Sequence, residues 1–466
     1  MKNKEYNFAF LLRITLVSAM GGLLFGYDFV VIGGAKPFYE RFFEITSSAN
    51  LQAWAMSSAL IGCIAGAVVS GFVSDRYGRK KTLLGSAFLF IAASLGTGFS
   101  GSIGTFVGFR MFGGMGIGLA SALSPMYIAE VTPSQVRGRF VSLNQMTIVI
   151  GILLAQIVNL LIAEKVPAEA SDEWIAASWN GQMGWRWMFW ACGIPAVLFF
   201  LLTFFIPESP RWLFKVGKPE AAFPVLKKIG GNLYARQEAD NIKKSFDDRG
   251  EKVNFKALLN PVYLPVLILG VVLAVFQQWC GINTVFNYAE EIFKAAGYGV
   301  SDTLFNIVIT GSINLIFTFV AMFTVDKRGR KKLMVFGSGG LALNYLLLGS
   351  AFFFQLKGVA VLALVVTAIA IFAMSLGPIV WVILSEIFPN RIRGAAMALA
   401  TFSLWTACFV LTYTFPLLNK SLGAAGTFWV YSGICLSGFI FIIIKLPETK
   451  GKSLEEIENL LLKNKK

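Results

Sequence analysis

GFVSDRYGRKK (71–81) and FTVDKRGRKK (323–332) are one charged turn written twice, with Asp75 and Asp326 standing 326 − 75 = 251 residues apart. Two further pairs keep nearly that spacing. Glu130 with Arg137 and Gly138 returns as Glu386 with Arg393 and Gly394 (386 − 130 = 256), and the PES at Glu208 returns as the PET at Glu448 (448 − 208 = 240). Around these turns run long apolar stretches, at 10–32, 53–73, 82–100, 104–126, 141–163 and 187–206, then at 262–289, 304–325, 333–354, 359–384, 396–417 and 425–446. A helix needs roughly 20 apolar residues to cross the hydrocarbon core. The chain therefore reads as an all-α membrane protein with twelve transmembrane helices in two pseudo-symmetric six-helix halves. Duplicated halves with a site between them are a common transporter architecture.

Composition and charge agree with that reading. Of 466 residues, 56% are hydrophobic and 14% charged, where soluble domains carry about a quarter charged residues, and the mean hydropathy is +0.66. The excess of 41 Lys+Arg over 26 Asp+Glu gives a formal charge of +15. These basic residues cluster at 74–81, 134–139, 207–258, 326–332 and 390–393, whereas the alternate loops near 34–51, 162–184 and 290–303 are neutral or acidic, with Glu164, Glu169, Asp172 and Glu173. By the positive-inside rule both termini and the central segment are expected in the cytoplasm. The bilayer, and not nucleic acid, accounts for the charge. The first apolar stretch follows Lys2 and Lys4 and lacks a small-residue cleavage site, so it is read as a retained helix and not a signal peptide. The expected organisation is a first half at 1–206, a cytoplasmic helical linker at 207–258 with helix-like stretches at 219–229 and 236–246, a second half at 259–447 and a tail at 448–466.

The chain contains no His, which removes the commonest general base and transition-metal ligand. Cys63, Cys192, Cys280, Cys408 and Cys435 are isolated within apolar stretches and read as core thiols, not as disulfides or metal ligands. Gly451-Lys452-Ser453 lacks the upstream glycine of a phosphate-binding loop, since Leu446 stands there. No enzyme activity, cofactor or metal site is expected.

Several polar residues lie inside the apolar stretches. Gln145, Gln156 and Asn159, spaced 11 and 14 apart, fall within roughly 40° of one line on a helix; such amides bond to neighbouring helices or to a ligand. Gln278 and Asn283 are about 140° apart on an unbroken helix and share a cavity only if the helix breaks, for which Gly281 offers the place. Asp28 lies 15 residues beyond Arg13, about 22 Å along its helix, and Arg110 lies eight residues after Ser102, about 12 Å down an oppositely running one. Their depths in a core about 30 Å thick match. Ionisable residues inside a membrane mark a pathway or proton relay by default, the bland alternative being a static ion pair.

An ordered set of motifs closely resembles the sugar porter family of the major facilitator superfamily. It comprises GLLFGYD (22–28), DRYGR (75–79), PMYIAE (125–130), Arg137-Gly138, PESPR (207–211), Gln277-Gln278 with GIN (281–283), DKRGR (326–330), SEIFP (385–389), Arg393-Gly394 and PETKG (447–451). The resemblance implies a central sugar site and alternating access. It is stronger towards bacterial proton-coupled xylose symporters than towards animal facilitative glucose transporters. It also implies sugar contacts by Phe25, Gln145, Gln277, Gln278, Asn283, Asn314, Gly377, Trp381 and Trp405. Aspartate at position 28, where facilitative relatives usually carry Asn, favours proton coupling through Asp28 and Arg110. Cytoplasmic gating is implied for Asp75, Arg76, Arg79, Glu130, Arg137 and Glu208, and for Asp326, Arg328, Arg330, Glu386, Arg393 and Glu448. Two positions depart from the pattern: Asn287 stands where relatives have Tyr, and Leu404 where they have Gln or Asn, which puts xylose itself in question. The expected activity is symport of a monosaccharide, pentose or hexose, with a proton, by a chain functional as a monomer. An uncoupled facilitator of a hexose or of a polyol such as inositol, and a transporter-like sugar sensor, are the other readings.

Overall fold

The computed structural model describes residues 6–167, 170–247, 258, 260–389, 392–450 and 456. Glu169, the 248–257 part of the linker, Asn390, Arg391 and the tail from Gly451 onward, residue 456 apart, lie outside the described residues, as does the side chain of Asp326.

The described residues form helices and connecting turns. An N-terminal set comprises α1 (Phe8–Phe42), α2 (Ala49–Tyr77), α3 (Arg79–Gly98), α4 (Ile103–Val131), α5 (Arg137–Ile162), the short α6 (Asp172–Ala177), and α7 (Trp185–Thr203), which a π-helical turn at Asn180–Gly184 leads into. Next come α8 (Pro210–Lys215) and α9 (Pro219–Asp247). A C-terminal set follows: α10 (Leu264–Trp279), α11 (Ile282–Asn287), α12 (Ala289–Ala295), α13 (Val300–Arg328), α14 (Arg330–Phe353), α15 (Val359–Met374), α16 (Leu376–Ile387) and α17 (Arg393–Lys445). Among the described residues, eleven stretches are long and apolar enough to cross a membrane. The longest, α17, is broken at Gly423 (φ 68°) and supplies two crossings, making twelve.

Lipid offers helices no hydrophobic reason to associate, so close packing must hold them. Gly62 and Gly66 of α2 and Gly114 and Gly118 of α4 bring the two backbones together so closely that a Cβ at any of them would meet a main-chain carbonyl of the other helix. Outward faces are apolar: Phe72, Leu161, Ile194, Phe205 and Ile444 are each more than 60% exposed. Polar caps start the helices. Ser48 accepts from Leu51 N–H, and Ser102 with Thr105 closes a capping box.

Three boundaries differ from the sequence reading. The first helix runs on to Phe42, so Lys36, Glu40 and Arg41, assigned to a loop, are helical. The 359–384 stretch is interrupted at Ser375 (φ −134°, ψ −91°), which separates α15 from α16. In the segment between the sets, the two expected helical stretches are joined in α9 by a kink at Gly230 and Gly231. The break at Gly281 (φ 86°) is present as expected.

Candidate functional site

At the centre, a cavity of about 100 Å³ is lined by Gln145 of α5, Asn283 of α11, Asn314 of α13 and Gly377 of α16. Four residues singled out in sequence thus come from four helices of both sets to one place. Gly281 makes this possible, because a left-handed residue there redirects the chain between Gln278 and Asn283. The amides then link in a chain. Asn283 Nδ2 donates to Gln278 Oε1, Gln278 Nε2 to Gln277 Oε1 at 2.9 Å, and Gln277 Nε2 to the Gly377 carbonyl at 3.2 Å. Gln277 and Gln278 stand behind the lining residues. Amides offer both donors and acceptors, as hydroxyl recognition requires.

Aromatic rings adjoin the amides. Phe25 lies 5.6 Å from Trp405 and 6.1 Å from Phe29, centroid to centroid, and Phe29 lines the cavity. The indole Nε1 of Trp405 is buried with no hydrogen-bond partner. Trp381, half-buried, sits one turn beyond Gly377 and is not among the lining residues. Sequence reading missed Phe29, Thr318, Phe372 and Pro378. Two were within reach: Thr318 is four residues after Asn314, on the same helix face, and Pro378 adjoins Gly377. Of the stripe on α5, Asn159 donates to the Val31 carbonyl of α1 at 3.0 Å, a helix-packing contact. Gln156 is buried against Gly311 of α13 with neither amide atom bonded. Leu404 is buried beside Trp405 and Asn287 beside Phe286; neither lines the cavity.

Asp28 and Arg110 meet as their depths predict. The guanidinium Nη1 donates to Asp28 Oδ1 at 2.9 Å and Nη2 to the Asp28 carbonyl at 3.3 Å, while Phe189 lies 5.6 Å away across the guanidinium face. Both residues are at most 3% exposed, and Asp28 Oδ2 has no hydrogen-bond partner. Removing one partner of such a buried pair leaves an uncompensated charge and costs about 3–5 kcal/mol. Asp28 immediately precedes Phe29, so the pair and the cavity share one turn of α1.

The repeated turns form matching clusters at one end of the bundle, the basic end. Arg79 forks onto Glu130 with two bonds of 2.9 Å and reaches Asp75 at 3.1 Å, and Asp75 pairs with Lys215 at 2.7 Å. In the second copy Arg330 pairs with Glu386 at 3.2 Å. Glu208 caps α3 by accepting from the backbone N–H of Arg79 (2.9 Å) and Lys80, and Glu448 caps α14 through Arg330 (3.0 Å) and Lys331. A carboxylate at a helix N-terminus satisfies orphan donors and complements the dipole. Burial pushes the Glu208 carboxyl up, opposed by the N–H groups of Ser209, Lys80 and Arg79. Arg393 donates to the Phe388 carbonyl at 3.1 Å, and Arg137 begins α5 half-buried. The structure draws Arg76 over the Tyr77 ring at 5.5 Å and leaves Arg328 exposed; among the described residues neither forms an ion pair.

The chain matches the family profile described as Sugar (and other) transporter over residues 14–461. It is 42% identical to the D-xylose-proton symporter of Escherichia coli, over 98% of this chain and 97% of the relative. Identity to the arabinose-proton symporter of Bacillus subtilis is 37%, over 99% and 97% respectively. Against the glucose facilitated diffusion protein of Zymomonas mobilis it is 36%, over 96% and 97%. In structure, the xylose transporter of E. coli in a partially occluded inward-open conformation superposes with a TM-score of 0.84 at 38% identity, covering 96% of this chain and all of that one.

Proposed function

The chain belongs to the sugar transporter family, and within it we propose that it is a proton-coupled symporter of a monosaccharide, pentose or hexose, working by alternating access. One observation carries the coupling: the buried Asp28–Arg110 pair adjoins Phe29, which lines the amide cavity. Protonation of Asp28 releases Arg110, and sugar held by the amides favours the transition in which residues 1–206 and 259–447 rock about the site. Gln145, Asn283, Asn314 and Gly377, which line the cavity, bind the sugar together with Phe25, Gln277, Gln278, Trp381 and Trp405, which reach it as the site opens. The basic end faces the cytoplasm, as do both termini and the 207–258 linker, and its Arg–Glu clusters form in one state and break in the other. The transporter acts as a monomer in the inner membrane.

Uptake into proteoliposomes tests this reading. A panel of labelled pentoses, hexoses and polyols, each measured with and without an inward proton gradient, should show accumulation of at least one monosaccharide above its external concentration only when the gradient is present. Equilibration without accumulation under every condition would make the chain a facilitator instead.

A further inference from the structure

At the end of α1 away from the basic turns, a lysine is buried. Lys36 is 1% exposed, and its Nζ lies 3.1 Å from Glu40 Oε1, 3.4 Å from Glu290 Oε2 and 2.5 Å from Glu291 Oε1. Glu40 is one turn on in α1; Glu290 and Glu291 open α12, just past the broken helix that carries Asn283. The cluster therefore ties the N-terminal set to the C-terminal set. Main chains meet at the same place, where Gly33 faces the carbonyls of Phe286 and Asn287 closely enough that a Cβ would touch them. A second tie between the sets, from Val166 N–H to Ser301 Oγ at 3.0 Å, joins the α5–α6 connection to α13 at that end.

The charges do not balance. One lysine against three carboxylates leaves +1 − 3 = −2 if all are ionised. The groups facing the cluster among the described residues are Tyr39 and Arg41 of α1, Tyr288, and Arg110 of α4 beyond Tyr39, while α2 contributes the Gln52 amide, 3.4 Å from Glu40 Oε2. Arg41 is engaged with Asp172 of α6 at 2.8 Å and with the Pro37 carbonyl. Glu291 Oε2 is buried with no hydrogen-bond partner. A buried site sheds uncompensated charge by taking up protons, whereas water restores the ionised form.

We propose that Lys36, Glu40, Glu290 and Glu291 form a proton-linked latch that closes the transporter at the end opposite the basic turns. Opening that end pulls α12 from α1, admits water and releases the proton; closing takes it up again, so acid on that side favours the closed state. The latch rests on the alternating-access reading above and is separate from the Asp28 pair, which lies eight residues deeper on α1.

The test is a distance measurement without substrate. Spin labels at Ser47→Cys and Lys420→Cys, both exposed near this end, report the separation of the two sets in a chain lacking the five native cysteines and carrying Asp28→Asn, so that Asp28 contributes no titration. The short-distance population should grow as pH falls. Lys36→Gln leaves three carboxylates facing one another and should move the closed-to-open ratio about tenfold towards open, while Lys36→Arg retains it. The pair Glu290→Gln with Glu291→Gln leaves a neutral cluster that stays closed and loses its pH response, so the latch is testable even if Lys36→Gln does not fold. A pH-independent parent, a folded Lys36→Gln with unchanged distances, or a pH response that persists in the double amide variant each overturns the proposal. Absence of sugar uptake by the wild type would instead overturn the transport reading and leave these distances standing.

Discussion

Asp28 presents two oxygens, of which Oδ1 is bonded to Arg110 and Oδ2 is bare. Asn in its place keeps the shape and one acceptor but cannot gain or lose a proton. Asp28→Asn should therefore bind sugar and exchange it across the membrane while failing to accumulate it, measured as counterflow against gradient-driven uptake in proteoliposomes. Loss of both activities with folding would assign the pair to scaffolding, and retained accumulation would remove Asp28 as the proton carrier. Among the amides, Gln278→Ala and Asn283→Ala each cut the hydrogen-bonded chain that runs from Asn283 in the cavity wall through Gln278 to Gln277. Each should weaken sugar binding by about 1–3 kcal/mol where a hydroxyl loses its partner, roughly five- to 150-fold in Kd; titration calorimetry on folded variants that shows no change would reassign these amides to helix packing. Depth along a helix is arithmetic, which is why the meeting of Asp28 with Arg110 was legible from residue counts alone. Lys36 was not: its carboxylate partners Glu290 and Glu291 come from 254 and 255 residues away (290 − 36 and 291 − 36), and a charge neutralised by distant chain looks, in sequence, like a charge facing water.

Helix breaks show the same contrast one scale up. Gly281 was readable because Gln278 and Asn283 needed a break and glycine alone takes φ 86° without strain. The Ser375 break, which sets Gly377 against Gln277, did have a signal in Gly377-Pro378 just beyond it, a pair that interrupts helices, but the unbroken hydropathy of 359–384 masks it. Gly281→Ala is a direct test of the first break. The left-handed conformation costs an L-residue roughly 1–2 kcal/mol, and the added methyl would also press on the Tyr431 ring, 2.9 Å from the Cβ position. Thermal unfolding in detergent should show a lower Tm, with sugar affinity reduced by more than the stability loss explains, because Asn283 would no longer face the cavity. An unchanged Kd would mean that the break positions nothing. The ends of α1 and α12 were misassigned to loops for a related reason: Lys36, Glu40, Arg41 and Glu44 lower local hydropathy, yet the first three of them are helical and the first two fully buried.

For the molecule as a whole, the duplicated turns gave the architecture, and the structure adds that both copies cap a helix with the carboxylate of a PES or PET motif at one common end. Which side that end faces follows from charge. Lysine and arginine resist translocation, so segments rich in them stay where they are synthesised, and the basic turns and α9 all lie at this end, with Asn7 N–H bonded to the Ile229 carbonyl of α9 at 2.9 Å to hold the N-terminus there as well. Single cysteines in a background lacking the native five give the check, since all five are buried and free. A cysteine at Asp240, exposed on α9, should react with a membrane-impermeant maleimide only in inverted vesicles. One at Asp172, exposed at the start of α6 on the opposite end, should react only in intact spheroplasts. The reverse pattern would turn the molecule over in the membrane, and the latch at Lys36 would then answer to cytoplasmic pH in place of the external medium.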